Sequence, residues 1–192
     1  LAYCLFYTYS RGAWLSIVAA LLMVALVLRK RMIIYGMVLF VGSIILLPSL
    51  RNIVLSIFLP QGDSARFEYW QAAFSMIKEH PFLGQGVGTF MANFKEYEPT
   101  VNISYAHNCY LQMWAESGLL TLGVFLCFVA IILYRSLRVY YLKKDLLLLG
   151  MASGLLGYLS HCFFETNLYT LSLAVLFWVW LGIVSSWSLT SE

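Results

Sequence analysis

The chain has 192 residues, 61% of them hydrophobic and 11% charged, with a formal net charge of +3. A soluble globular domain carries about 25% charged residues, so the composition excludes an ordinary water-soluble fold and points to an integral membrane protein. The positive excess is too small to support a nucleic-acid partner.

In chain order, "LAYCLFYTY" at 1–9 reads as the second half of a helix, and Leu1 stands where a start methionine would be. The chain is therefore expected to be the C-terminal part of a longer membrane domain, with 1–192 forming one unit. Apolar runs at 12–28, 32–47, 119–134, 146–164 and 168–187 follow. Each is near the roughly 20 residues that a bilayer requires. The expected fold is all-α: a polytopic transmembrane helix bundle of five full spans plus part of a sixth.

Cations orient these spans, because short cytoplasmic loops are enriched in Lys and Arg. Arg29, Lys30 and Arg31 form one basic turn; Arg135, Arg138, Lys143 and Lys144 form another. Both are expected to face the cytoplasm, which places Ser10, the long stretch 48–118 and the turn at 165–167 on the outer side. All three histidines (His80, His107 and His161) fall on that side or at its edge.

Within 48–118, Asp63 or Ser64 is placed to cap a helix. Phe67, Trp70, Phe74 and Ile77 then recur at helical spacing up to the break at Pro81. "GQGVG" predicts a tight turn, and "MANFKEYEPT" predicts a proline-marked loop. From Ala106 onward a helix is expected to carry His107 on one face with Leu111, Trp114 and Gly118. Asn108, Gln112 and Glu116, four apart, form a polar stripe beside it. Such a stripe is costly in a membrane unless it faces protein or water, so it is expected to line a cavity open to the outside.

Each candidate has a plain structural alternative. His107 at the headgroup level is satisfied by one hydrogen bond to a neighbour. Arg11, at the outer end of a span, serves as a snorkelling anchor or as a bidentate phosphate ligand. Arg66 sits in the first turn of its helix, where a cation opposes the macrodipole, and either pairs with Asp63 or holds an anion. His161 and Glu165, four apart, are close enough to touch. Glu96 and Glu98 read as a solvated loop rather than a metal site, and no metal or cofactor is expected. Cys4, Cys109, Cys127 and Cys162 lack metal-ligand spacing and read as small buried hydrophobes. Asn102 opens an Asn-Ile-Ser sequon, a frequent chance match.

Three blocks in this order resemble a known family. They are "SRGAWL", then "ARFEYWQAAFSMIKEHPFLGQGVGTF" with its R-x-x-x-W-x-x-A and P-x-x-G-x-G patterns, then "AHNCYLQMWAESGLLTLG". Together they are similar to the O-antigen ligase and O-antigen polymerase family of bacterial membrane glycosyltransferases. The resemblance implies transfer of a glycan from an undecaprenyl-diphosphate carrier to a glycan or lipid A-core acceptor. The reaction would take place on the periplasmic side of the inner membrane, without metal, with 48–118 as the periplasmic loop. It implies that Arg11 and Arg66 hold the diphosphate and that His107 activates the acceptor hydroxyl, with Asn108, Gln112, Glu116 and His161 lining the pocket. Some ligases continue the histidine block as H-N-x9-G-x-x-G. Here Gly118 is in place, but Thr121 stands at the second glycine, which leaves ligase and polymerase both open. The rival readings are a bicarbonate-transporter-like carrier of small anions and a non-catalytic envelope scaffold.

Overall fold

The computed structural model describes residues 10–29, 31, 35–36, 64–97 and 105–190, and every element among them is helical. These are α1 (Arg11–Val27), α2 (Ser64–Glu79), α3 (Phe90–Tyr97), α4 (Cys109–Lys143), α5 (Leu146–His161), a 3-10 turn at Asn167–Tyr169, and α6 (Leu171–Thr190). The expected helix tail at 1–9, nearly all of the span at 32–47, Asp63, Glu98, the sequon and Cys4 lie outside the described residues.

Two described helices, α4 and α6, are long and apolar enough to cross a bilayer; α1 and α5 are apolar but shorter. Their ends are set by local chemistry. Ser10 accepts from the Ala13 amide at the start of α1, and Asp145 accepts from the Leu148 amide at the start of α5. Both use the side-chain oxygen that an N-cap supplies to an orphan N–H. Lys144, in left-handed backbone, closes α4 by donating its amide to the Tyr140 carbonyl.

The helices build two cores. One joins α4, α5 and α6 through Phe125, Val129, Ile132, Leu148, Leu155, Phe177 and Leu181. Helix α1 lies against α5 along small residues: a Cβ on Gly157 would stand 3.1 Å from the Ser16 carbonyl oxygen and 3.2 Å from the Ala20 Cβ. Close approach over small side chains is the usual way helices associate where lipid offers no hydrophobic drive. The second core is a cap over one end of the bundle, made of Ala72, Ala73, Met76 and Ile77 from α2, Phe90 and Phe94 from α3, and Ala106 and Ala115. Helix α4 contributes to both cores.

At Gly118 (φ 79°, ψ 172°) α4 breaks its helical geometry. The segment after α2 crosses there, and the two backbones touch. A Cβ on Gly118 would lie 2.0 Å from the Phe82 carbonyl oxygen, and one on Gly84 would lie 2.3 Å from that of Glu116. The Leu119 amide donates to Pro81 O, Gln85 N to Ala115 O and Gly86 N to Glu116 O. Gly118→Ala combines a backbone region that is nearly glycine-only with a backbone clash. It is expected to cost about 3 kcal/mol or more, read as a drop of several degrees in the unfolding midpoint of the purified full-length protein.

Within the stretch expected to be a loop at 91–100, the described residues up to Tyr97 belong to a helix. Its local signal is confined to Phe90 and Phe94, four apart and both buried. Its first amide is satisfied by Glu116, 26 positions later in the chain.

Candidate functional site

The helix expected from Ala106 starts later, at Cys109. Asn108 is its N-cap, with Oδ1 3.0 Å from the amides of both Tyr110 and Leu111. His107 therefore does not share a helical face with Leu111, Trp114 and Gly118. It stands before the cap in left-handed backbone (φ 49°). Histidine is among the few non-glycine residues enriched in that region.

The imidazole is held on two sides. Its Nδ1 lies 3.1 Å from Glu165 Oε2, and its ring stacks on Tyr69 with centroids 5.8 Å apart and planes at 25°. Tyr69 in turn meets Phe94 edge-on. The side chains of His107 and Glu165 remain 39% and 35% exposed, so the pair is open to a substrate. A carboxylate only accepts hydrogen bonds, so Nδ1 carries the proton and Nε2 presents its lone pair. Among the described residues Nε2 makes no hydrogen bond.

The turn that carries Glu165 is tied to the start of α4 by backbone and sulfur. Cys109 N donates to Cys162 O at 2.8 Å, and its thiol lies 3.2 Å from the Glu165 carbonyl oxygen. The Leu168 amide reaches the same sulfur at 3.4 Å. Cys109 and Cys162 are buried, as expected of small hydrophobes, whereas Cys127 is exposed on the outer surface of α4.

The polar stripe does not line an open cavity. Gln112 and Glu116 are each 2% exposed, and their partners are chiefly main-chain amides. Gln112 Oε1 accepts from Ala106 N at 3.1 Å, and its Nε2 reaches Glu116 at 3.4 Å. Glu116 accepts from Gly88 N at 3.1 Å and from Phe90 N at 3.2 Å. The Tyr169 hydroxyl also bonds to it, and burial together with the Glu116 charge pushes that phenol well above its ordinary range. Four donors thus saturate the acceptor sites of one carboxylate. The stripe orders the backbone on both sides of His107 and faces protein, not water.

His161 ends α5. Its Nδ1 is taken by Asn167 Nδ2 at 2.9 Å, and the expected contact with Glu165 is made through the backbone, the Glu165 amide donating to His161 O at 3.1 Å, while the Glu165 carboxylate reaches His107. The His161 ring packs under α1, where a Cβ on Gly12 would lie 2.8 Å from its Cδ2 and 2.9 Å from Phe164 Cβ. Of Arg11 and Arg66 the backbone is described. Arg11 precedes Gly12 and so adjoins the turn that bears Glu165. Arg66 stands one turn before Tyr69 on α2. Among the described residues, Arg66 is thus linked to His107 only through Tyr69, and Arg11 to the Glu165 turn only through Gly12. Tyr69 has no sequence signal as a partner of His107, because its spacing reads as ordinary core.

Comparison with known proteins decides the family. Residues 1–126, about two thirds of the chain, match the family model described as O-antigen ligase. The chain belongs to the O-antigen ligase family. A ComP-specific O-oligosaccharyltransferase from Acinetobacter baylyi is 28% identical over 190 residues, covering 86% of this chain and 33% of the relative. An uncharacterized protein of Haemophilus influenzae is 28% identical over 116 residues, covering 54% of this chain and 28% of the relative. The chain thus spans about a third or less of the length of the curated relatives it matches. The apolar helices suit the membrane setting of O-antigen ligase proteins.

Proposed function

We propose that this chain forms part of a membrane glycosyltransferase. It would move a glycan from an undecaprenyl-diphosphate carrier to a hydroxyl acceptor at the periplasmic face of the inner membrane. The observation that carries the reading is the partly exposed His107–Glu165 pair in an O-antigen ligase family member. In this reading His107 Nε2 takes the proton of the acceptor hydroxyl as its oxygen bonds to the anomeric carbon. The bond from that carbon to the diphosphate breaks, and the diphosphate leaves with the electron pair. Arg11 and Arg66 hold the charge that grows on it, an effect largest in the transition state. Glu165 keeps the proton on Nδ1 and stabilises the imidazolium that forms, as the carboxylate does in a serine-protease triad. The acceptor is a hydroxyl of a glycan, of a lipid A core or of a protein. No step requires a metal.

The test is transfer of a lipid-linked glycan in membranes holding the full-length protein. Absence of transfer by the unaltered protein sinks the reading. Glu165→Gln is expected to lower kcat about 10- to 100-fold with little change in acceptor KM, because an amide no longer dictates the tautomer. Unchanged kcat removes the positioning role of Glu165 while leaving glycan transfer intact.

A further inference from the structure

The segment between α2 and α3 runs antiparallel along the outer end of α4, and its register is fixed by contacts. Pro81 lies opposite Leu119, Phe82 opposite Gly118, Gly84 opposite Glu116 and Gln85 opposite Ala115. The Trp114 indole donates a further bond to Pro81 O at 2.9 Å. Going from Gln85 back to Pro81, the segment therefore descends α4 towards its apolar stretch.

That stretch places the bilayer. From Leu119 to Tyr134 the helix carries no charged residue, and Arg135 and Arg138 follow. Gly118 stands 17 residues before Arg135, which is about 26 Å along a helix and close to the roughly 30 Å thickness of the hydrocarbon core. With the arginines at one surface, Gly118 lies at the other. Leu119 and Leu120, at 41% and 60% exposed, are then the first lipid-facing residues of the span. At the same level, the corner opposite them exposes Phe82 and Leu83, at 62% and 78%.

Two large apolar side chains held open at the depth where lipid begins have one partner that matches them. We infer that the Phe82–Leu83 corner is a wedge inserted into the outer-facing leaflet, continuous with the lipid-facing surface of α4, which sets the height of the cap on the membrane. Its depth is fixed rather than adjustable. Gly84 and Gly118 let the two backbones meet without side chains between them, and three main-chain bonds hold the register. Beyond the corner, Gln85 is clamped between Tyr97 OH and Asn93 Nδ2, at 2.7 and 3.0 Å. The segment is thus secured at its upper end as well. The inference depends on membrane embedding and not on the glycan-transfer reading.

The experiment uses the full-length protein in lipid nanodiscs. Leu83→Cys carries an environment-sensitive fluorophore in a background with the other reactive thiols replaced, and Lys95→Cys on the exposed side of α3 is the control. A nitroxide on an upper acyl carbon of the lipid is expected to quench the probe at 83 about threefold or more over the probe at 95, as for side chains seated in the headgroup–acyl boundary. Aqueous iodide should show the reverse order. Equal iodide access at both positions places the corner in water and overturns the inference. Protection at 83 from both quenchers means that protein covers the corner, and this overturns it as well. Retained glycan transfer, or its loss, bears on the proposed function alone.

Discussion

Replacing His107 is expected to abolish glycan transfer, with turnover falling about 10³-fold, within the range for loss of a general base. His107→Ala alone is ambiguous, because alanine pays for a left-handed backbone that histidine tolerates. His107→Asn separates the effects: asparagine accepts φ near 49° but has no imidazole. Both variants should insert into membranes in normal amounts, and both should fail to transfer glycan from the lipid carrier. Added imidazole partly restoring His107→Asn would strengthen the assignment. Transfer by His107→Asn at the unaltered rate would remove His107 from the chemistry.

The second large effect is on stability. Glu116→Ala strands the amides of Gly88 and Phe90 and the Tyr169 hydroxyl in a buried setting. Each unsatisfied group costs about 1–3 kcal/mol, so a loss of about 3–5 kcal/mol is expected after partial relaxation. Glu116→Gln retains one acceptor oxygen and is expected to lose about half as much. The check is the thermal unfolding midpoint of the purified protein, together with amide exchange at the start of α3. An alanine variant as stable as the parent would show that the Glu116 cluster does not hold the cap.

The sequence speaks most clearly where its signals are local. Runs of leucine, valine and phenylalanine mark α1, α5 and α6 to within about three residues, whereas α4 runs about ten residues beyond its apolar run of 119–134 at each end. The end of α2 at Glu79 follows from the break at Pro81 in the same way. Features that depend on distant partners are not legible in local spacing. Gln112 and Glu116 look like a water-facing stripe because their spacing is helical. Their actual partners, the amides of Ala106, Gly88 and Phe90, belong to segments the periodicity does not connect to them. Helix α3 was hidden for the same reason, since the carboxylate at its first turn comes from α4.

The candidate site shows the same division. "AHN" draws attention to His107, and the asparagine after it is itself a strong helix-cap signal, enough to have placed the histidine outside the helix. Four-residue spacing pairs Glu165 with His161, and the Glu165 amide does bond to His161 O, but the cap at Asn108 and the bonds around Cys109 bring its carboxylate to His107, 58 positions away. Tyr69 carried no distinguishing signal. An aromatic residue at helical spacing reads the same whether it packs against leucine or against an imidazole.

Helix α4 is a member of both the cap and the bundle, and the crossing at Gly118 is stitched by main-chain bonds on either side of the break. The upper layer consequently cannot swing aside as an independent lid: parting it from the spans would sever the strut that also fills their centre. Heat or detergent should therefore melt both layers in a single cooperative step.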